Sequence, residues 1–168
     1  MDITVLVDLC RASDQANDLL LSEVEKLDPA ELRSKHSPSH GSVWNLLRHM
    51  LMVETHYLQA SQGKTGEFEP PSLESLADLR CYWQEIISNR QDHISSLSPD
   101  QVGKVISLRL GDHDFNLPRH QIILQGILHS VYHRGELSIV MTDLGYPLPT
   151  LDSIVYFVKE SGQEWPDD

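Results

Sequence analysis

The chain has 168 residues, 40% of them apolar and 23% charged, proportions that exclude a disordered or fibrous polypeptide and fit one folded domain over residues 1–168. Lys and Arg number 13 against 25 Asp and Glu, a formal net charge of −12. So acidic a chain is a poor partner for DNA, RNA or an anionic membrane, because phosphate is gripped by clustered Lys and Arg and no basic run offsets the charge.

Cys10 and Cys81 form no CxxC pair, the pattern of reduced thiols in a cytosolic chain. The opening MDITVLVDLCRASD lacks the basic flank and long apolar stretch of a secretory leader, and no apolar run approaches the ~18–20 residues of a membrane span. A cytoplasmic protein is expected.

Leu6, Leu9, Cys10, Ala16, Leu20, Val24 and Leu27 recur near a 3.6-residue period and predict an amphipathic helix from Ile3 to Leu27, stopped at Asp28-Pro29. The polar stretch Arg33 to Gly41 reads as a loop. Ser42 is the predicted N-cap of a second helix, Val43 to Ser61, with Val43, Leu46, Leu47, Met50, Val53 and Tyr57 on its apolar side. Gly63 to Pro71, with two glycines and two prolines, is a second loop. A third helix opens at Ser72 and runs through Leu76, Leu79, Trp83, Ile86, Ile87 and Ile94 to Leu97, before Ser98-Pro99.

Between Val102 and Leu117 the period changes to alternation, which predicts a short hairpin turning at Gly111 to Asp114. Pro118 fits the first turn of a fourth helix that reaches Leu144, with Gly145 as its C-cap. Its nearly all-round apolar surface predicts a central position. Thr150 is the expected cap of a last short helix, Leu151 to Glu160. The sum is an all-α four-helix bundle, with a short β-hairpin-like insertion before the last long helix and a short C-terminal helix.

Nine histidines make their placement the chemical question. His129 and His133 stand four apart on the fourth helix, about 40° apart around its axis and about 6 Å apart along it. Two imidazoles so placed can converge on one metal ion, as those of HExxH do; the alternative is a pair of satisfied core or surface histidines. A third ligand could come from His49 or His56 on the second helix, with His49 in the more apolar neighbourhood. His36, His40, His93, His113 and His120 fall in loops, turns or near helix ends, and solvent exposure is expected for all five.

WNLLRHMLMVETHYL, Trp44 to Leu58, resembles the first motif of the DinB-like / YfiT-like metal-dependent family, a helix-borne histidine followed five residues later by a glutamate; here these are His49 and Glu54. The segment from His129 resembles the second motif: a histidine, three residues, His-Arg-Gly, an apolar run, a Gly-x-Pro corner, and an Asp shortly before a Tyr. The matching positions are His129, His133, Arg134, Gly135, Gly145, Pro147, Asp152 and Tyr156. Glu136 departs from the glutamine common after His-Arg-Gly.

The resemblance implies a four-helix bundle with a divalent-metal site made by His49, His129 and His133. Three neutral ligands leave the ion open positions, where bound water can approach a pKa of ~7 and a bound thiol can lose its proton. Imidazoles suit zinc or nickel first, and also iron or manganese. Some relatives are thiol-dependent transferases and others look like metal-dependent hydrolases. The expected activity is therefore a metal-activated nucleophile acting on a small-molecule substrate. Thiol transfer from a low-molecular-weight thiol stands ahead of hydrolysis, and a non-catalytic metal-binding or interaction bundle is the rival reading.

Glu54 is either a carboxylate behind His49 that orients its imidazole or a salt-bridge partner. Arg134 and Glu136 are read as pairing with bundle neighbours ahead of binding substrate, Tyr132 as core or interface, and Asp152 as a helix N-terminal residue. The resemblance also allows a homodimer, because bundles of this family often pair through helices.

Overall fold

Asp2 starts the fold by accepting a hydrogen bond from the Thr4 amide at 2.8 Å, capping α1, Ile3–Val24. The structure, a computed structural model, describes residues 2–64 and 71–166. A five-residue helix, α2 (Pro29–Arg33), follows, begun by a capping box between Asp28 and Glu31. Ser42 caps α3, Val43–Ser61, as the sequence predicts. The expected loop from Gly63 to Pro71 falls largely on residues 65–70, outside the described residues. The third long helix, α4 (Leu76–Ser95), begins at Ser75 rather than Ser72, because Ser75 and Asp78 form the capping box that satisfies its first amides. A second short helix, α5 (Pro99–Gly103), is begun by a Ser98–Gln101 box.

The predicted hairpin is present. β1 (Val105–Leu110) pairs antiparallel with β2 (His113–Pro118), from Val105 opposite Pro118 to Leu110 opposite His113. Gly111, with φ +57, takes the left-handed first position of the two-residue turn. The helix α6 then runs Arg119–Asp143, with Pro118 just outside it, and Gly145 (φ +86) closes it as the Tyr146 amide donates back to the Met141 carbonyl. Asp152, not Thr150, caps α7, Ser153–Glu160, through the Ile154 amide.

The main core joins Leu46, Leu47, Met50 and Leu51 of α3 to Leu79 and Trp83 of α4 and Leu137 and Met141 of α6. Each such side chain contributes about 1.5–3 kcal/mol on burial, so the site is built on well-anchored rods. The most extensive helix pairing is α3 with α6, with α1 also against α6. Gly126 lets the two approach: a Cβ there would stand 3.4 Å from the Tyr57 Cβ and 3.8 Å from the Glu54 Cα. One expectation is corrected. α6 is not buried all round, for Leu128, Val131, Tyr132 and Ile139 are exposed, Tyr132 by 74%. α1 and α3 pack against α6 on its buried face, which carries Ile122, Gly126, Ile127, His133 and Leu137, and the stripe lies outside that face. No helix of the described residues is long and apolar enough to cross a membrane.

Candidate metal centre

Since Gly126 on α6 lies against Glu54 and Tyr57 on α3, and numbering runs oppositely along the two helices, the turn carrying His129 and His133 meets the turn carrying His49. The three imidazoles face one another. Ring centroids are 4.9 Å apart for His49–His129, 4.9 Å for His49–His133 and 4.5 Å for His129–His133. One nitrogen from each lies within 4.8 Å of the others, the one such ligand group among the described residues. His56, the alternative third ligand, stands outside it and packs edge-on against Tyr57.

These residues fit a divalent ion. Nitrogens bound to one zinc at ~2.0–2.1 Å in a tetrahedron stand roughly 3.3 Å apart, and His49 Nε2 and His129 Nε2 are 3.2 Å apart. The rings are also poor proton binders. Burial, reinforced by His40, His129 and His133, lowers the His49 pKa to about 4. Burial, with His133 adding to it, lowers His129, and burial with His40 lowers His133 despite the opposing Glu136. Unprotonated imidazoles offer the lone pairs a metal requires.

Glu54 does not touch these rings. Its Oε1 accepts from Asn17 Nδ2 (3.0 Å) and Ser130 Oγ (2.5 Å), and its Oε2 from Trp83 Nε1 (3.3 Å) and Arg90 Nη1 (2.8 Å). Four donors use the four lone-pair sites of a carboxylate, so none remains to orient His49. The salt-bridge reading is the one the geometry carries. Burial alone would raise the Glu54 pKa, but Arg90 and the bonds from Ser130, Arg90 and Asn17 outweigh it and hold the carboxyl below its usual value. Arg134, expected to be structural, is buried and donates to Ser13 Oγ at 3.1 Å and Asn17 Oδ1 at 2.5 Å. The network thus fastens the histidine-bearing turn of α6 to α1, α3 and α4.

Sequence reasoning missed two residues at the site. His40, expected in solvent, is half-buried and stacks on His49 with centroids 4.0 Å apart, while standing edge-on to His133 at 5.3 Å. Glu136 draws that loop in. It accepts from Ser37 Oγ at 2.6 Å, Ser39 Oγ at 2.6 Å and the Ser39 amide at 3.2 Å, and faces His133 Nδ1 at 3.6 Å. Its departure from the family glutamine was the available signal. Of the other four, His36 and His113 are exposed as expected, and His93 and His120 are half-buried.

The fold and site define a helical bundle with an imidazole-lined centre between two antiparallel helices. The DinB family model matches residues 3–164, and the chain belongs to the DinB family. Two solved structures share the fold. The DinB-like protein yjoa from Bacillus subtilis has a TM-score of 0.62 at 14% identity, covering 86% of this chain and 97% of that one. A DinB-like protein from Bacillus cereus ATCC 10987 has a TM-score of 0.64 at 15% identity, covering 84% and 94%. No curated protein matches the chain.

Proposed function

We propose that the protein is a divalent-metal-dependent enzyme of the cytoplasm in which His49, His129 and His133 hold the ion, zinc or nickel ahead of iron or manganese. The observation that carries this reading is the 3.2 Å spacing of two Nε2 atoms from separate helices within a three-imidazole cluster. Bound at such a centre, the ion supplies a Lewis acid with open positions that lowers the pKa of a thiol or water. Of the chain's own residues, the histidines stay unprotonated to bind it, and the Glu54–Arg90–Asn17–Arg134 network holds their helices in place. The nucleophile is a low-molecular-weight thiol acting on a small electrophile, with water and hydrolysis as the second reading. Cys10 and Cys81 are free, as a reducing compartment requires. The uncharged stripe of Leu128, Val131, Tyr132, Gly135 and Ile139 supports pairing of two copies, because it lets an acidic chain meet itself without opposing like charges.

Elemental analysis of protein purified without added metal tests the centre. One equivalent is expected in the unmodified chain and none in His129→Ala. Turnover of a thiol with a test electrophile by metal-loaded protein then tests the activity; large metal-dependent stabilisation without turnover would leave a structural site.

A further inference from the structure

The loop before α3 is folded around a single side chain. Ser37 and Gly41 bridge each other, with the Gly41 amide donating to the Ser37 carbonyl at 2.9 Å, and the His40 amide donates to Ser37 Oγ at 3.1 Å. Ser37 and Ser39 both donate to Glu136, nearly a hundred residues away on α6. The result is that His40 stands against two of the three candidate ligands.

The hydrogen bonds also decide which nitrogen of His40 carries its proton. Glu136 meets three donors from that loop, Ser37 Oγ, Ser39 Oγ and the Ser39 amide, the set a carboxylate takes. An ionised carboxylate only accepts. The single hydroxyl hydrogen of Ser39 is therefore spent on Glu136 Oε2 at 2.6 Å. His40 Nδ1 lies 2.6 Å from the same Ser39 oxygen, so it must be the donor in that contact. A neutral ring with its proton on Nδ1 keeps a lone pair on Nε2. His40 Nε2 has no hydrogen-bond partner among the described residues and is not one of their buried, unpaired atoms.

We infer that His40 is the fourth functional imidazole of the centre: Ser39 and Glu136 fix it in the Nδ1–H tautomer, and its Nε2 accepts a hydrogen bond from the incoming nucleophile. The nucleophile it fits is one that arrives carrying hydrogen on its donor atom, a thiol S–H or a water O–H. His40 is a binding residue for that molecule, whereas Ser39 and Glu136 are positioning residues acting through it. The inference rests on the proposed metal centre for its ligand, but the tautomer belongs to the protein alone.

Nitrogen-15 histidine spectra of the metal-free protein should show His40 as the Nδ1–H tautomer and should lose that preference in Ser39→Ala. An Nε2–H ring in the unmodified protein would overturn the inference whether or not metal binds. Cobalt-loaded protein supplies the second readout. His40→Phe keeps a ring against His49 and removes both nitrogens, so cobalt affinity should stay within about twofold. Methanesulfonamide, whose metal-bound nitrogen keeps one hydrogen, should bind that variant about three- to tenfold more weakly, the worth of one hydrogen bond. Azide, whose donor atom has none, should bind unchanged. Equal effects on both probes, or on neither, would overturn the role of Nε2. Failure of the unmodified protein to take up cobalt would instead sink the metal centre and leave the tautomer result to decide the arrangement of His40.

Discussion

Arg90 on α4 and Glu54 on α3 meet at 2.8 Å inside the bundle, with only 4% and 2% of their surfaces exposed. Arg90 also pairs with Asp14 on α1, so one guanidinium serves two buried carboxylates. Arg90→Met leaves both without their counter-ion and is expected to cost about 3–5 kcal/mol. Adding Glu54→Gln should recover part of that loss, because one of the stranded charges is then gone. Urea unfolding of the single and double variants measures both.

Chelator-treated protein should lose stability as pH falls from neutrality. The pKa values of His49, His129, His133 and His93 are all lowered, burial being the first cause for each, so the folded chain binds fewer protons than the unfolded one below the ordinary histidine pKa. Their contribution is present above about 6.5 and is lost toward the His49 value of about 4. Asp14 opposes this. Burial raises its pKa to about 6 against the pull of Arg90, so its contribution is full below the ordinary aspartate value and lost as pH rises through about 6. Four imidazoles outnumber one carboxyl, and Tm should fall between pH 7 and 5; a flat or rising Tm would contradict the assignment of these rings as neutral in the folded chain.

Much of this was legible in the sequence because it depends on local rules. Ser42 as a cap, the hairpin, Gly145 as the stop of α6, and His49 with His129 and His133 each follow from a short pattern or from the family motifs. α2 and α5 were not legible, since five residues are too few to show a helical period. The sequence starts one helix at Ser72 and offers Thr150 as the cap of another, where Ser75 and Asp152 serve, because several oxygen-bearing residues compete at each helix start. His40 escaped for another reason: its burial is set by Glu136, distant in the chain, and a polar loop carries no sign of where it docks. Proximity along one helix left Glu54 between His49 and a salt bridge, because the partners that decide it come from three other helices.

The two cysteines should react very differently. Burial pushes the Cys10 thiol up to about 12, although Arg90 pulls the other way, while Cys81 is exposed. The thiolate is the reactive form. At pH 8, dithionitrobenzoate should therefore label one thiol per native chain and two in guanidinium chloride, and Cys81→Ser should abolish the native reaction.

The exposed stripe on α6 predicts association. If two copies meet there, Tyr132→Glu places a charge in the centre of the contact and should shift sedimentation from dimer toward monomer. The substitution lies on an exposed position, so folding, read by circular dichroism, should be unaffected. A chain that sediments as a monomer before the change would exclude this mode of pairing.

His49 and His129 are separated by 80 positions in the chain. During synthesis at ~5–20 residues per second, that gap corresponds to roughly 4–16 s in which the emerging polypeptide offers an ion the imidazole of α3 without its partners from α6. If the centre holds an ion as proposed, metallation is a late event that waits until the final long helix has left the ribosome and docked, and a translation product truncated before residue 129 should carry no tightly held ion.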